Sequence, residues 1–139
     1  MNREIKFRGK DFVKGEWLYG HYMPPFFEGA SSFIWVPEDC NDHWEYLNSQ
    51  VITDTVGQYT GLKDKNGVEI YEGDIIIEKI KRSRKDGERL VICFEEFEWK
   101  GKNVNGATTS LSLLAEYHTI KVAGNIHDNP ELLKGNNHE

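Results

Sequence analysis

Asp54–Ile77 reads DTVGQYTGLKDKNGVEIYEGDIII, and this stretch decides the fold. Val56, Gln58 and Thr60 alternate with Gly57, Tyr59 and Gly61, the period of two that suits a half-buried strand. Asn66-Gly67 follows as a turn pair, because both residues tolerate positive φ at little cost. Val68, Ile70 and Tyr71 restore the apolar character. Gly73-Asp74 then turns the chain into Ile75, Ile76 and Ile77, a β-branched run too short for a helix. Here glycine supplies the backbone angle and Asp74 can accept a hydrogen bond from the turn, so the corner reads as structure before it reads as a cation site. Turn, short strand, corner and longer strand together predict a tightly curled small barrel.

Working outward, Glu4–Arg8 and Glu16–Tyr22 read as two strands about a Lys14-Gly15 turn, with Trp17 and Tyr19 on one face and Leu18 and Gly20 on the other. Pro24-Pro25 stops the second strand, since proline cannot donate to a ladder. Phe26–Ser32 is a loop and Phe33–Val36 a short strand. Glu38–Tyr46 is acidic and aromatic, and reads as loop. A soft boundary falls near Gln50, dividing an N-terminal β segment (1–50) with its aromatic loop from a barrel (51–139). Ile75–Lys81 and Arg89–Phe94 flank the turn pair Asp86-Gly87. Ile75–Ile80 does not alternate, which predicts a bulge or burial on both faces. Leu111, Leu114 and Tyr117 fit a helix, whereas Leu111 and Leu113 fit a strand. Lys121–Ile126 is the last strand, and Asn129-Pro130-Glu131 opens a short C-terminal helical turn.

The signature TVGQYTGLKDKNGVEIYEGDI, with REIKFRG at Arg3–Gly9 and VAGNIHDNPELL at Val122–Leu133, resembles the YopX-like phage protein family. Three ordered blocks carry the resemblance over nearly the whole chain. It implies a mostly-β domain with an SH3-like small barrel, encoded by a phage or prophage, in a family without an established biochemical activity. The sequence departs from the family pattern at Gly9 and Lys10, where alanine and an aromatic are usual. Phe26–Asn48 and Lys81–Arg89 also fall outside the signature.

The 139 residues suit one domain, and 38% hydrophobic content with 12% aromatics predicts a core built on large rings. So thin a core favours completion by self-association, hence a homo-oligomer. A net charge of −6 argues against a general nucleic-acid binder and suits the cytoplasm of a bacterial host. Cys40 and Cys93 are far apart with no paired spacing, as expected of free thiols in a reducing compartment. No apolar run is long enough to span a membrane, and the N-terminus lacks the apolar stretch of a secretory signal.

Four constellations bear on chemistry. Lys79, Lys81, Arg82, Arg84, Lys85 and Arg89 crowd one hairpin, where they could contact phosphates, although a solvated, charge-protected edge explains them as well. Asp39, Cys40, Asp42 and His43 are metal-ligand types without the paired spacing of a closed site, and His21, His118 and His127 are scattered. Glu95, Glu96 and Glu98 alternate with Phe97 and Trp99 as in a strand with rings inward and carboxylates outward, rather than as acid–base partners. Phe26, Phe27, Trp35, Trp44 and Tyr46 offer aromatic anchors for a partner. No nucleophile, phosphate-loop or zinc-protease motif is present. The reading is therefore a binding protein, not an enzyme, with no cofactor or metal. It engages itself and a host or phage protein, with nucleic-acid binding through the basic hairpin as the alternative.

Overall fold

The computed structural model describes residues 4–36, 49–80 and 87–134, excepting the side chains of 79, 80 and 116–118. The chain divides into two compact units, Met1–Gly61 and Leu62–Glu139. Eleven described strands, two short α-helices and one 3-10 turn make it mostly β. Neither of the two antiparallel sheets closes into a barrel among the described residues, so the barrel closure expected above is not found.

In the first unit β1 (Phe7–Lys10) and β2 (Trp17–Met23) form the hairpin anticipated from Lys14-Gly15. Gly15 takes φ +74°, and the Asp11 N–H donates to Glu16 O at 2.8 Å to close the turn. Strand β3 (Ser32–Trp35) lies antiparallel to β2, and β4 (Ser49–Val51) to β3. After a 3-10 turn at Thr53–Thr55, β5 (Gly57–Lys63) places Gln58 and Gly57 opposite Phe7 and Arg8. That pairing draws the residues after Gln50 into the first unit, eleven positions beyond the boundary expected near Gln50. Ile34, Val51, Ser32 and Gly20 are buried on one face of this sheet. A Cβ on Gly9 would stand 3.1 Å from Val56 Cγ2 and 3.2 Å from Val51 Cβ, a close approach that gives the departure at Gly9 a local cause.

The second unit opens with the turn that the sequence marks at Asn66-Gly67. Gly67 N–H donates to Asp64 O (3.0 Å) and Asp64 N–H to Val68 O (2.8 Å), and only Gly67 takes positive φ, +83°. This is the type I turn with a left-handed glycine bulge, not the two-residue mirror turn. Then come β6 (Glu69–Tyr71) and the Gly73-Asp74 corner, where Gly73 has φ +90° and Asp74 Oδ2 accepts the Tyr71 N–H at 2.7 Å. Strands β7 (Asp74–Ile80), β8 (Arg89–Glu95), β9 (Glu98–Lys102) and β10 (Thr108–Ser110) form a meander. Helix α1 (Leu111–Tyr117) follows, and β11 (His118–Asn125) returns to pair with β7, giving the order β10-β9-β8-β7-β11. Helix α2 (Glu131–Lys134) is the expected C-terminal turn.

Leu111 and Leu114 settle the helix-or-strand ambiguity: both are buried on one helical face, while Leu113 is exposed. They pack with Ile70, Ile76, Leu90, Ile92 and Ile120 in one aliphatic core. Ile75 and Ile76 are both fully buried, the two-sided burial their lack of alternation implied, and the register shift falls opposite them, between Val122 and Gly124. Among the described residues most of the rings expected in the core are elsewhere; Tyr71 and Tyr59 are the buried ones.

Leu114→Ala is expected to cost about 2–5 kcal/mol, read as a lower midpoint in urea unfolding. Asp64 is the more informative position. Burial pushes its carboxyl up, but the N–H donors of Val122, Val68 and Asn66 outweigh that and hold it below its ordinary value. A depressed carboxyl stabilises fully above its unfolded value and loses that contribution as pH falls through the folded one. Asp64→Asn should therefore cost about 1–3 kcal/mol near neutrality, and unfolding curves for the two proteins should converge below about pH 4.

Candidate interaction surfaces

Alternation along β1 and β2 sorts the first unit's sheet into two chemically different faces. Residues directly opposite in an antiparallel pair share a face. Phe7 opposes Gly20 and Ile34 opposes Tyr22, and the Phe7 and Tyr22 rings meet at 5.4 Å between centroids on the face that buries Ile34 and Val51. The other face collects cations and rings. Arg8 opposes Tyr19, Lys10 opposes Trp17, and His21 opposes Trp35. The Arg8 guanidinium lies 4.6 Å from the Trp17 ring centroid, Lys10 Nζ lies 5.5 Å from it, and Lys6 Nζ lies 5.4 Å from the Tyr59 ring. Lys6 also pairs with Glu4 at 3.3 Å. Arg8 and Tyr59 are buried, whereas Tyr19 and Trp35 are 45% and 40% exposed.

Phe26 and Phe27 occupy the loop between β2 and β3 and are 89% and 71% exposed. The loop is shaped by Gly29 at φ +88° and by the Ala30 N–H donating to Phe27 O at 3.0 Å. Trp35 does not join them: it sits at the far end of β3, past the Met23–Phe33 pair. Trp44 and Tyr46 lie outside the described residues, as do Asp39, Cys40, Asp42 and His43 of the ligand-type cluster.

Of the basic hairpin, Lys81, Arg82, Arg84 and Lys85 lie outside the described residues, and Lys79 is described only by its backbone pairing with Thr119. Arg89 Nη1 donates to Leu132 O at 2.6 Å, a structural tie from β8 to α2. The carboxylates need a correction. Glu95–Trp99 is not one strand, because β8 ends at Glu95, β9 starts at Glu98, and Glu96-Phe97 form the turn between them. Phe97 is 97% exposed at that tip, not inward. Its neighbour Phe94 packs edge-on against Trp99 at 5.0 Å. Lys100 and Lys102 bind Glu96 and Glu95. The Lys100 hydrogen bond holds the Glu96 carboxyl below its usual range, which keeps it ionised near neutrality and unsuited to giving up a proton. Burial, aided by Glu95, pushes the half-buried Cys93 thiol up, away from the nucleophilic thiolate. Among the described residues no three His, Cys, Asp or Glu side chains gather as metal ligands, and no helix is long and apolar enough to cross a membrane.

One of the two missed features leaves a trace in the sequence. Lys6, Arg8 and Lys10 alternate before Trp17, Tyr19 and His21, so a hairpin at Lys14-Gly15 must set one series against the other. The Glu96-Phe97 turn left none, having neither glycine nor asparagine.

A mostly-β chain with two antiparallel sheets and ring-bearing loop tips defines a class of small β protein. The chain belongs to the YopX protein family, whose model matches residues 6–134. A solved structure, the crystal structure of protein EF1440 from Enterococcus faecalis, is similar at 26% identity with a TM-score of 0.55, covering 95% of this chain and 99% of that one. No curated protein matches the chain.

Glu96 and Phe97 hold φ of 53° and 67°, angles that cost a side-chain-bearing residue about 1–2 kcal/mol each. Phe97→Gly should therefore raise stability by up to about 1 kcal/mol, seen as a higher Tm, although it deletes a large apolar side chain.

Proposed function

We propose that the chain is a phage or prophage accessory protein that works by binding, associating with itself and presenting aromatic tips to a host or phage protein in the bacterial cytoplasm. The observation that carries this is the Pro24-Pro25-Phe26-Phe27 loop, where consecutive rings stand exposed on a turn tied by its own backbone hydrogen bond. Covering each ring is worth about 1.5–3 kcal/mol. A shaped loop has little ordering entropy left to lose on docking, so more of that gain is kept as affinity. Phe97 offers a third ring of the same kind in the second unit. Binding rather than catalysis is supported by the carboxylates of Glu95 and Glu96 being engaged by lysines.

An SH3-like character of the second unit is part of the same reading. A four-strand meander, a short helix, and a last strand returning beside the first is the connectivity of such small barrels. Folds of this kind host many unrelated roles, so the tips carry the functional argument and the topology does not.

Light scattering after size-exclusion chromatography tests the reading. The wild type should run as an oligomer that persists in high salt, and Phe26→Ser with Phe27→Ser should shift it to monomer while circular dichroism stays unchanged. A wild type that is monomeric at all working concentrations would overturn the self-association.

A further inference from the structure

The cation-and-ring face of the first unit's sheet is not used by the loop-tip reading, and its chemistry differs. The phenylalanine tips are purely apolar. This face instead alternates basic and aromatic groups across β1, β2 and β3, in a chain whose net charge is −6. Lys6, Arg8 and Lys10 recur at every second residue of the N-terminal strand region and so fall on one side of the sheet. Arg8 and Lys10 gather at Trp17. Tyr19 and Trp35 are the large rings of this face with the greatest exposure. Because His21 opposes Trp35, Tyr19 is the diagonal neighbour of Trp35, at about 7–8 Å between backbone positions.

We infer that this face binds single-stranded nucleic acid, two neighbouring bases stacking on Tyr19 and Trp35 while Lys6 and Lys10, on either side of the buried Arg8, face the phosphates. Three observations select that ligand. Neighbouring sheet rings at this spacing suit successive unstacked bases, the arrangement by which sheet surfaces hold single strands. Cations share the face with the two exposed rings, Lys10 at Trp17 and Lys6 at Tyr59, where a purely apolar or acidic face would not attract a polyanion. The strongly negative remainder of the chain disfavours smooth electrostatic binding to duplex, leaving local stacking to supply the affinity. An apolar peptide would make no use of the cations.

Fluorescence anisotropy with a labelled oligothymidylate, at ~50 mM salt and upward, tests it. Binding should weaken with salt with a log–log slope of roughly −1.4, as expected for about two phosphate contacts on a single strand. Tyr19→Ala and Trp35→Ala should each weaken it at least ~fivefold, and Lys10→Glu should weaken it and flatten the slope. Phe26→Ser with Phe27→Ser should leave the affinity for an oligonucleotide too short to reach a second copy unchanged, which separates this face from the self-associating tips. Tyr19→Phe keeps a stacking ring and should retain binding, so a loss there would count against stacking. The inference is overturned by no binding at low salt, by equal affinity for duplex of the same length, or by a Tyr19→Ala, Trp35→Ala protein that binds as wild type. It is equally overturned if those substitutions change only the oligomeric state, since the face would then be a protein interface.

Discussion

The Asp64 carboxylate is the contact on which the second unit's geometry depends. Its Oδ1 accepts the N–H groups of Asn66 and Val68, which fixes the turn that the Gly67 bulge completes. Its Oδ2 accepts the N–H of Val122, 58 residues later in the chain. One buried charge thus sets a local turn and ties it to the last strand, beside the Lys65 N–H to Ile120 O bond. Charge-assisted bonds of this kind cannot be replaced by apolar packing without stranding three backbone donors. The register shift between Val122 and Gly124 begins at the residue Asp64 holds, and it brings Gly124 against Asn129 Oδ1, where any Cβ would collide. Asn129 in turn accepts the Asn125 N–H, while Asn125 Oδ1 caps the turn at His127 and Asp128. The chain's end is built from backbone groups satisfied in relay.

That relay explains what was legible in the sequence. Turns made by glycine announce themselves, because the residue type and the backbone angle are the same fact: Gly15, Gly67 and Gly73 stand where the chain bends. Strands followed from alternation, and the unbroken Ile75–Ile77 run correctly implied burial on both sides. The Glu96-Phe97 turn was invisible, since two residues that prefer negative φ are forced to positive φ by the flanking ladder. The compact units divide at Gly61, beyond the soft boundary near Gln50, because pairing of β5 with β1 is a long-range choice that the start of the signature region after Gln50 does not report. The barrel was expected both from the run of turns and short strands and from family likeness, but closure depends on how sheet edges meet, which neither reports.

The candidate surfaces divide in the same way. Ring-rich loops can be seen in sequence, but whether a ring is core or exposed is decided by register. The expectation that aromatics would form the core failed for that reason: isoleucine and leucine fill the second unit, and many rings stay at the surface. Trp35 was grouped with Phe26 and Phe27 by proximity in the chain, yet the ladder places it beside His21 and diagonal to Tyr19. Grouping by register instead of by sequence turns one aromatic loop into two surfaces of different chemistry.

Those two surfaces constrain each other. Under the proposed self-association, apolar tips that paired with another copy would multiply whatever the sheet face binds, because a second site on the same assembly acts at high effective concentration. A face with few cations, on an acidic chain, binds a polyanion weakly by itself, and such binding becomes useful when several copies are linked. The two proposals, self-association and a modest stacking face, would therefore reinforce each other. The acidic remainder of the chain then limits adhesion to bulk duplex and keeps the contact local to the rings.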